Sequence, residues 1–238
     1  MVEKKTIAII PARGGSKRIP KKNIIDFFGK PMIAWTIEAA QESKIFDRIL
    51  VSTDDPEIAA IAKEYGLEVP FLREEAKDDH TPISGATLAA LRQVEQILGE
   101  EYETVVQLMA NCPLRRCEHI VQAYHHFVEA KALFQLTCFR FNWMNPWWAF
   151  HLNDQGQPSA IFPEALKTRS QDLPLLYCPT GAIWIAKVSA FKKAGTFYGP
   201  GHSFYPIDWK AAVDIDDKDD LEMARAVFLM EQQAKAIV

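Results

Sequence analysis

The sequence predicts an α/β protein built on a mostly parallel sheet with helices on both faces. Three observations carry that prediction. Apolar runs of strand length alternate with helix-period segments through the first half of the chain. The first run, "TIAII", is unbroken, as strands buried on both faces are. The helical segments carry start and stop residues at their ends.

Taken in order, "TIAII" is the first strand. "PMIAWTIEAAQES" is a helix opened by Pro31, with Met32, Ile33, Trp35, Ile37 and Ala40 apolar. "RILVS" is the next strand. "DDPEIAAIAKEYG" begins with an Asp cap and Pro56 and closes at Gly66, which reads as a capped helix. "EVPFL" is short and extended. "SGATLAALRQVEQILG" is a helix closing at Gly99, and "TVVQLM" a strand. "CEHIVQAYHHFVEA" is a helix with Ile120, Tyr124, Phe127 and Val128 inward and His119, His125 and His126 on its solvated side. "LFQLTCF" returns to strand. The periodicity weakens over residues 140–180, rich in Trp, Pro and Asn, which reads as an arm leaving the sheet. "GAIWIAK" is again a strand, "AAVDIDD" a last strand, and "KDDLEMARAVFLMEQQA" the closing helix. Residues 1–238 are expected to form one domain with an inserted arm at about 140–180.

A chain of 238 residues can bury a full core. With 31 acidic against 27 basic residues its formal charge is −4, which argues against general nucleic-acid binding. No apolar run approaches the roughly 20 residues of a membrane span. The N-terminus reads as a first strand and not as a signal peptide. Cys112, Cys117, Cys138 and Cys178 have no CxxC spacing, so a zinc site is not expected. They read as reduced thiols of a cytoplasmic protein.

Against that acidic background, "ARGGSKRIPKKN" is a local concentration of positive charge. It follows the first strand, at the carboxyl end where ligands of such sheets bind. Glycines and Ser16 let backbone amides turn toward an anion, and Lys and Arg supply counter-charge. A solvated basic turn is the alternative. GxxxxGK[ST] and GxGxxG are both absent, which counts against a P-loop ATPase and a nicotinamide-binding domain. GxSxG is absent too, which removes a serine hydrolase of that type. In "VDIDD", Asp214 and Asp216 are two apart and would share one face of a strand. A cation such as Mg²⁺ would relieve their repulsion. Capping of the next helix is the competing use of these acids.

The run "IAIIPARGGSKRIPKKN" resembles the signature of the cytidylyltransferases that activate nine-carbon sugar acids, whether N-acylneuraminate, legionaminate or pseudaminate. The likeness continues through "FGKPMIAWTIEAA", "FDRILVSTDDPEIAAIA", "VPFLR", "CPLR", "GAIWI" and "VDIDDKDDLEMA", nearly the whole chain. "KRIPKKNIIDFFGKPM" and "TRSQDLPLLY" look most like the pseudaminate branch. The resemblance implies a Rossmann-like nucleotidyltransferase three-layer sandwich with a protruding dimerisation arm, acting as a homodimer. It implies a reaction in which CTP and a nonulosonic acid give a CMP-sugar and pyrophosphate, with Mg²⁺ as cofactor. Arg13, Ser16, Lys22 and Asn23 are carried over as nucleotide contacts, joined by Lys17 and Arg73. Arg18 and Lys21 read as solvated neighbours. Ser84 is either a helix N-cap or a nucleoside contact, in a helix entry that also carries Asp79. Asp214 and Asp216 become the expected metal ligands and Asp217 the cap. With Arg13 and Lys22 they form the expected catalytic set. Asp54 and Asp55 read as a cap before Pro56.

Three departures bear on the sugar. "LMANCPLR" has Met109, Asn111 and Cys112 where neuraminate enzymes more often read "LQPTSPLR". Cys178 and Thr180 stand where an Arg and an Asn are frequent. Arg169 followed by Ser170 replaces a double Arg. Asn111, Arg169 and Gln171 are the expected sugar contacts, with Arg169 on the carboxylate. Arg115 is open between structure and substrate. Trp143, Trp147 and Trp148 suit a dimer contact better than a sugar pocket. The competing readings are an inactive nucleotide-binding homologue and a 3-deoxy-manno-octulosonate cytidylyltransferase.

Overall fold

Ile7 and Ile9 pack on one side of the first strand, Ala8 and Ile10 on the other, and all four are fully buried. A strand enclosed on both faces needs a sheet with two covering layers, and the computed structural model shows one. It describes residues 5–75, 81–142 and 144–236; Asp79 and Trp143 lie outside them.

The strands and helices run β1 (Thr6–Pro11), β2 (Asp26–Phe27), β3 (Lys30–Pro31), α1 (Met32–Ser43), β4 (Arg48–Ser52), α2 (Pro56–Glu64), α3 (Ile83–Gln93), β5 (Thr104–Gln107), α4 (Cys117–Glu129), β6 (Phe134–Arg140), β7 (Phe150–Leu152), β8 (Pro158–Ala160), β9 (Tyr177–Lys187), α5 (Val188–Ala194), β10 (Ser203–Pro206) and α6 (Lys218–Ala236). The main sheet has the order β10-β6-β9-β5-β1-β4. All its pairings are parallel except those of β9, which runs antiparallel to both β5 and β6. Helices α1, α2 and α4 cover one face, with Ile33, Ile58 and Phe127 against Ala8, Val51 and Val106. Helices α3 and α5 cover the other, with Leu91 and Phe191 against Ile7, Leu50 and Val105. Helix α6 packs against the small β2–β3 ribbon, where Phe228 stacks on Phe28 with ring centroids 4.1 Å apart.

Local signals act as their chemistry dictates. The Asp55 carboxylate accepts the Glu57 N–H at 2.7 Å and caps α2. Helix α3 ends in a π-helical turn over Val94–Leu98, which Gly99 closes at φ +66°. The described residues of 141–176 lie outside the main sheet and carry the β7–β8 hairpin, braced where Trp147 meets Phe162 and donates to the Pro174 carbonyl at 2.9 Å; the return strand β9 begins at Tyr177, ahead of the expected Gly181.

Several expectations need correction. "AAVDIDD" is not a strand: residues 211–217 form a turn and an extended segment. "EVPFL" joins no sheet. Ser84 does not cap α3, because the cap position is Pro82 and Ser84 lies inside the helix. Val128 faces outward at 50% exposure, one position past the buried face ending at Phe127. Only His125 of the three histidines is exposed. His119 Nδ1 accepts the Arg116 N–H at the start of α4, and His126 bonds Gln135 at 2.6 Å. Cys112 and Cys138 are buried and all four thiols are free. None of the described helices is long and apolar enough to cross a membrane.

Gly199 lies against the Phe134 ring, where a Cβ would come within 2.3 Å of Cζ. Phe134 is fully packed, so the ring has little room to yield. We predict that Gly199→Ala lowers unfolding stability by about 1–3 kcal/mol, read in a urea titration. An unchanged midpoint would show that this corner repacks freely.

Candidate active site

The carboxyl ends of β1, β4 and β5 open on one basic cleft of about 250 Å³, lined among others by Arg13, Ser16, Lys17, Arg18, Lys22, Asn23 and Arg73. The loop after β1 is held from beneath. The Gly14 N–H donates to the Asp54 carboxylate at 3.1 Å, and a Cβ at Gly14 would strike Asp55 at 2.3 Å. Asp54 therefore braces the loop as well as standing before α2, and Gly14 is required for the approach. The buried Asn23 amide donates to the Arg13 carbonyl at 3.0 Å and closes the loop on itself. Lys21 takes the left-handed conformation, φ 54°, which splits its path from that of its neighbour. Lys21 reaches out to Glu57, while Lys22 turns in to Asp216 at 2.8 Å.

Arg73 is 3% exposed although it ends a surface loop. Its Nη1 donates to the Ser52 carbonyl at 3.1 Å, and among the described residues its Nε has no partner. Burial pushes its pKa down, Asp54 opposes that shift, and Arg13 adds to it. A guanidinium in that position suits an anion entering the cleft.

The acidic side is built around Asn111, at the end of the segment following β5. Its carbonyl accepts the Ile215 N–H at 3.0 Å, and its Nδ2 donates to the Ile215 carbonyl at 3.0 Å. This two-way clamp fastens residues 213–217 to the sheet without a strand. The same Nδ2 donates to Asp214 and lies 3.4 Å from an Asp216 oxygen. The i, i+2 spacing thus still brings both carboxylates to one side. Asp216 also accepts from Lys22 and from Arg18 at 2.6 Å. Arg18 is exposed, as its reading as a solvated neighbour implies, yet it also lines the cleft through this tie to Asp216. Burial acts to raise the Asp216 pKa, but Lys22 and Arg18 outweigh it and hold the carboxyl below its ordinary range. Burial and then Asp216 push Asp214 from 3.8 up to about 6. Asp217 is the helix cap, accepting from the Asp219 and Asp220 N–H groups.

On the far side of this ridge lies a second, larger cleft of about 700 Å³. Asp214 lines it, together with Phe139, Phe141, Met144, Gly181, Trp209 and Met223. Gly181 stands under the ridge: a Cβ there would meet Met109 at 2.8 Å and approach Asp214 at 3.5 Å. Arg115 is structural. It is 1% exposed and its Nη1 ties the Met109 and Ala182 carbonyls at 3.2 and 2.7 Å.

The structure thus brings together Arg13, Ser16, Lys17, Lys22, Asn23, Arg73, Asn111 and Asp216 around one cleft, with Asp214 at its back. Ser84 is buried beside the cleft, whose wall is formed by Ile83 and Ala86. Arg169 and Gln171 do not join. Arg169 is exposed on the arm and paired with Asp172 at 2.7 Å, and Gln171 lines a separate hollow with Arg140 and Ser170. Among the described residues no cluster of three or more His, Cys, Asp or Glu side chains could hold a metal. The Asp214/Asp216 pair offers two hard oxygen donors, which with phosphate oxygens and water fits Mg²⁺.

The family model described as Cytidylyltransferase matches residues 7–142. The pseudaminic acid cytidylyltransferase of Campylobacter jejuni strain 81-176 is 37% identical over 232 residues, covering 97% of this chain and 99% of that one. The CMP-N,N'-diacetyllegionaminic acid synthase of Legionella pneumophila is 31% identical over 237 residues, covering 96% and 98%. The N-acylneuraminate cytidylyltransferase of Escherichia coli O18:K1:H7 is 30% identical over 223 residues, covering 92% of this chain and 51% of that one. Among solved structures, a CMP:2-keto-3-deoxy-manno-octonic acid synthetase complexed with CTP shares the fold, with a TM-score of 0.70 at 18% identity over 95% of this chain and 99% of that one.

Asp214 sets a pH dependence. A carboxyl raised in the fold binds its proton there before the unfolded chain does, so its stabilising effect is present at acid pH and is lost as pH rises through about 6. In ion-free protein, Asp214→Asn should raise unfolding stability at pH 8 by on the order of 2 kcal/mol and give little gain below pH ~4. Denaturant titrations at the two pH values check this; an equal gain at both would exclude the titration as the cause.

Proposed function

Because this chain belongs to the cytidylyltransferase family, we propose that it condenses CTP with a nine-carbon nonulosonic acid of the pseudaminate kind, giving a CMP-sugar and pyrophosphate. The observation that carries the reading is the ridge at Asn111, which separates a basic cleft from an apolar one. A triphosphate suits the first and a sugar the second, so the anomeric hydroxyl would meet the α-phosphorus near Asp214.

Arg13, Lys17, Lys22 and Arg73 meet the charge of the triphosphate and of the departing pyrophosphate. Ser16 and the loop amides add donors. Asn23 and Asp54 keep the loop in shape through the contacts described above. Lys22 and Arg18, now on Asp216, exchange that carboxylate for phosphate oxygens when nucleotide enters. Asp214 and Asp216 would hold Mg²⁺, which when bound neutralises phosphate charge. We take the arm as the contact of a homodimer, supported by exposed Phe150, Leu152, Ile161, Phe162, Leu166 and Leu175. This reading puts the enzyme with the cytoplasmic CTP pool.

Pyrophosphate release from CTP with Mg²⁺ and a panel of sugar acids tests the reaction. Turnover is expected with a nine-carbon acid; CTP binding with no turnover on any of them would favour a non-catalytic homologue. Asp216→Ala should lower kcat at least about 100-fold while the melting temperature stays close to wild type. A wild-type rate would reduce the acidic pair to a helix entry.

A further inference from the structure

The acids of residues 214–220 look like a trap for a divalent cation, yet in the free protein they are already engaged. Asp217 caps α6, and Asp220 accepts the Asp216 and Asp217 N–H groups at 2.9 and 3.0 Å. Asp214 accepts from Asn111. Asp216 differs from all of these, because each of its oxygens meets a cation. Lys22 Nζ lies 2.8 Å from Oδ1, and Arg18 Nη2 lies 2.6 Å from Oδ2. The two cations are unlike. The Lys22 side chain is 15% exposed and held within the cleft. The Arg18 side chain is 62% exposed and able to swing out into water.

We propose that Arg18 is an autoinhibitory latch, which keeps Asp216 closed to a divalent cation until a polyphosphate draws the guanidinium away. The inference rests on the function proposed above and deepens it. A cation approaching the empty site must displace Arg18 from Oδ2, and it meets two positive charges at close range. Phosphate oxygens compete for the same guanidinium and can grip it in a bidentate fork. Their arrival moves Arg18 off the carboxylate and replaces repulsion with attraction. It also adds the oxygen donors that a hard cation needs. Such coupling is reciprocal: nucleotide tightens the cation by the factor by which the cation tightens nucleotide. Because the pair is exposed, the latch weakens cation binding and does not abolish it.

The test uses Mn²⁺, which takes the same oxygen donors, as a probe of the nucleotide-free protein. Bound ion is read from the loss of the free-ion paramagnetic resonance signal, so turnover does not enter. Arg18→Gln should bind Mn²⁺ about threefold or more tightly than wild type. Lys21→Gln removes the same charge from the same loop, but Lys21 lies on Glu57, so wild-type binding is expected. Adding Asp216→Asn to Arg18→Gln should abolish the gain. With CTP bound, and protein in excess so that little nucleotide stays free, the difference between wild type and Arg18→Gln should close. Arg18 and Lys21 are both exposed, so the variants should fold, which their melting temperatures check. An Arg18→Gln affinity no higher than wild type overturns the latch and leaves the proposed function standing. An equal gain in Lys21→Gln also overturns it, by making the effect one of net charge. A gain that survives Asp216→Asn overturns it by putting the ion elsewhere. A difference that persists with CTP bound overturns the release by phosphate. Wild-type protein that binds no CTP overturns the proposed function, and this inference with it.

Discussion

Two carboxylates are kept side by side by one amide. Asn111 holds Asp214 through its Nδ2 and pins the backbone of Ile215 from both sides. Asp214 and Asp216 enter the site some hundred residues after β5, on a segment that belongs to no strand. Without the clamp, their repulsion and the cost of burying Asp214 would push that segment outward. Lys22 and Arg18 finish the work by placing positive charge against Asp216. The basic loop and the acidic segment are therefore one electrostatic unit, even though they lie near opposite ends of the chain.

That unit needs a rigid base, and the sheet supplies it. The loop leaves β1 between β4 and β5, and its anchors come from the end of β4: the Ser52 carbonyl accepts the Ala12 N–H, and Asp54 accepts the Gly14 N–H. Arg115 works beneath, joining the carbonyls of Met109 and Ala182. The site thus rests on strand ends held by backbone pairing, and only the side chains that meet substrate remain adjustable.

The first half of the fold is legible because its information is local. An unbroken apolar run, a 3.6-residue period and a cap such as Asp55 need no distant partner to be read. The direction of β9 is not local: an apolar run looks the same whichever way it enters a sheet. The segment at 211–217 alternates like a strand, yet Asn111 supplies the contacts that a neighbouring strand would have made. The basic loop was readable from its charge and its place after β1. The tie from Arg18 to Asp216 and the burial of Arg73 depend on folding, and no spacing announces them. The apolar cleft draws on residues 139–144, 178–181 and 209–223. Side chains so dispersed form no motif, and in 209–223 the apolar ones stand among five aspartates. Arg169 and Gln171 match a family pattern, and such a likeness does not say where an arm will swing.

The antiparallel β9 has a consequence for how the chain is made. It lies between β5 and β6, with partners on both sides. As the chain leaves the ribosome, β5 and β6 are complete some forty residues before β9 begins to emerge. During that interval each presents an open edge of unpaired amides and carbonyls beside apolar faces. Pairing them directly would build a closed, wrong sheet with no slot for β9. Synthesis of the arm falls within this same interval, so its length sets how long the growing chain must wait with that gap open.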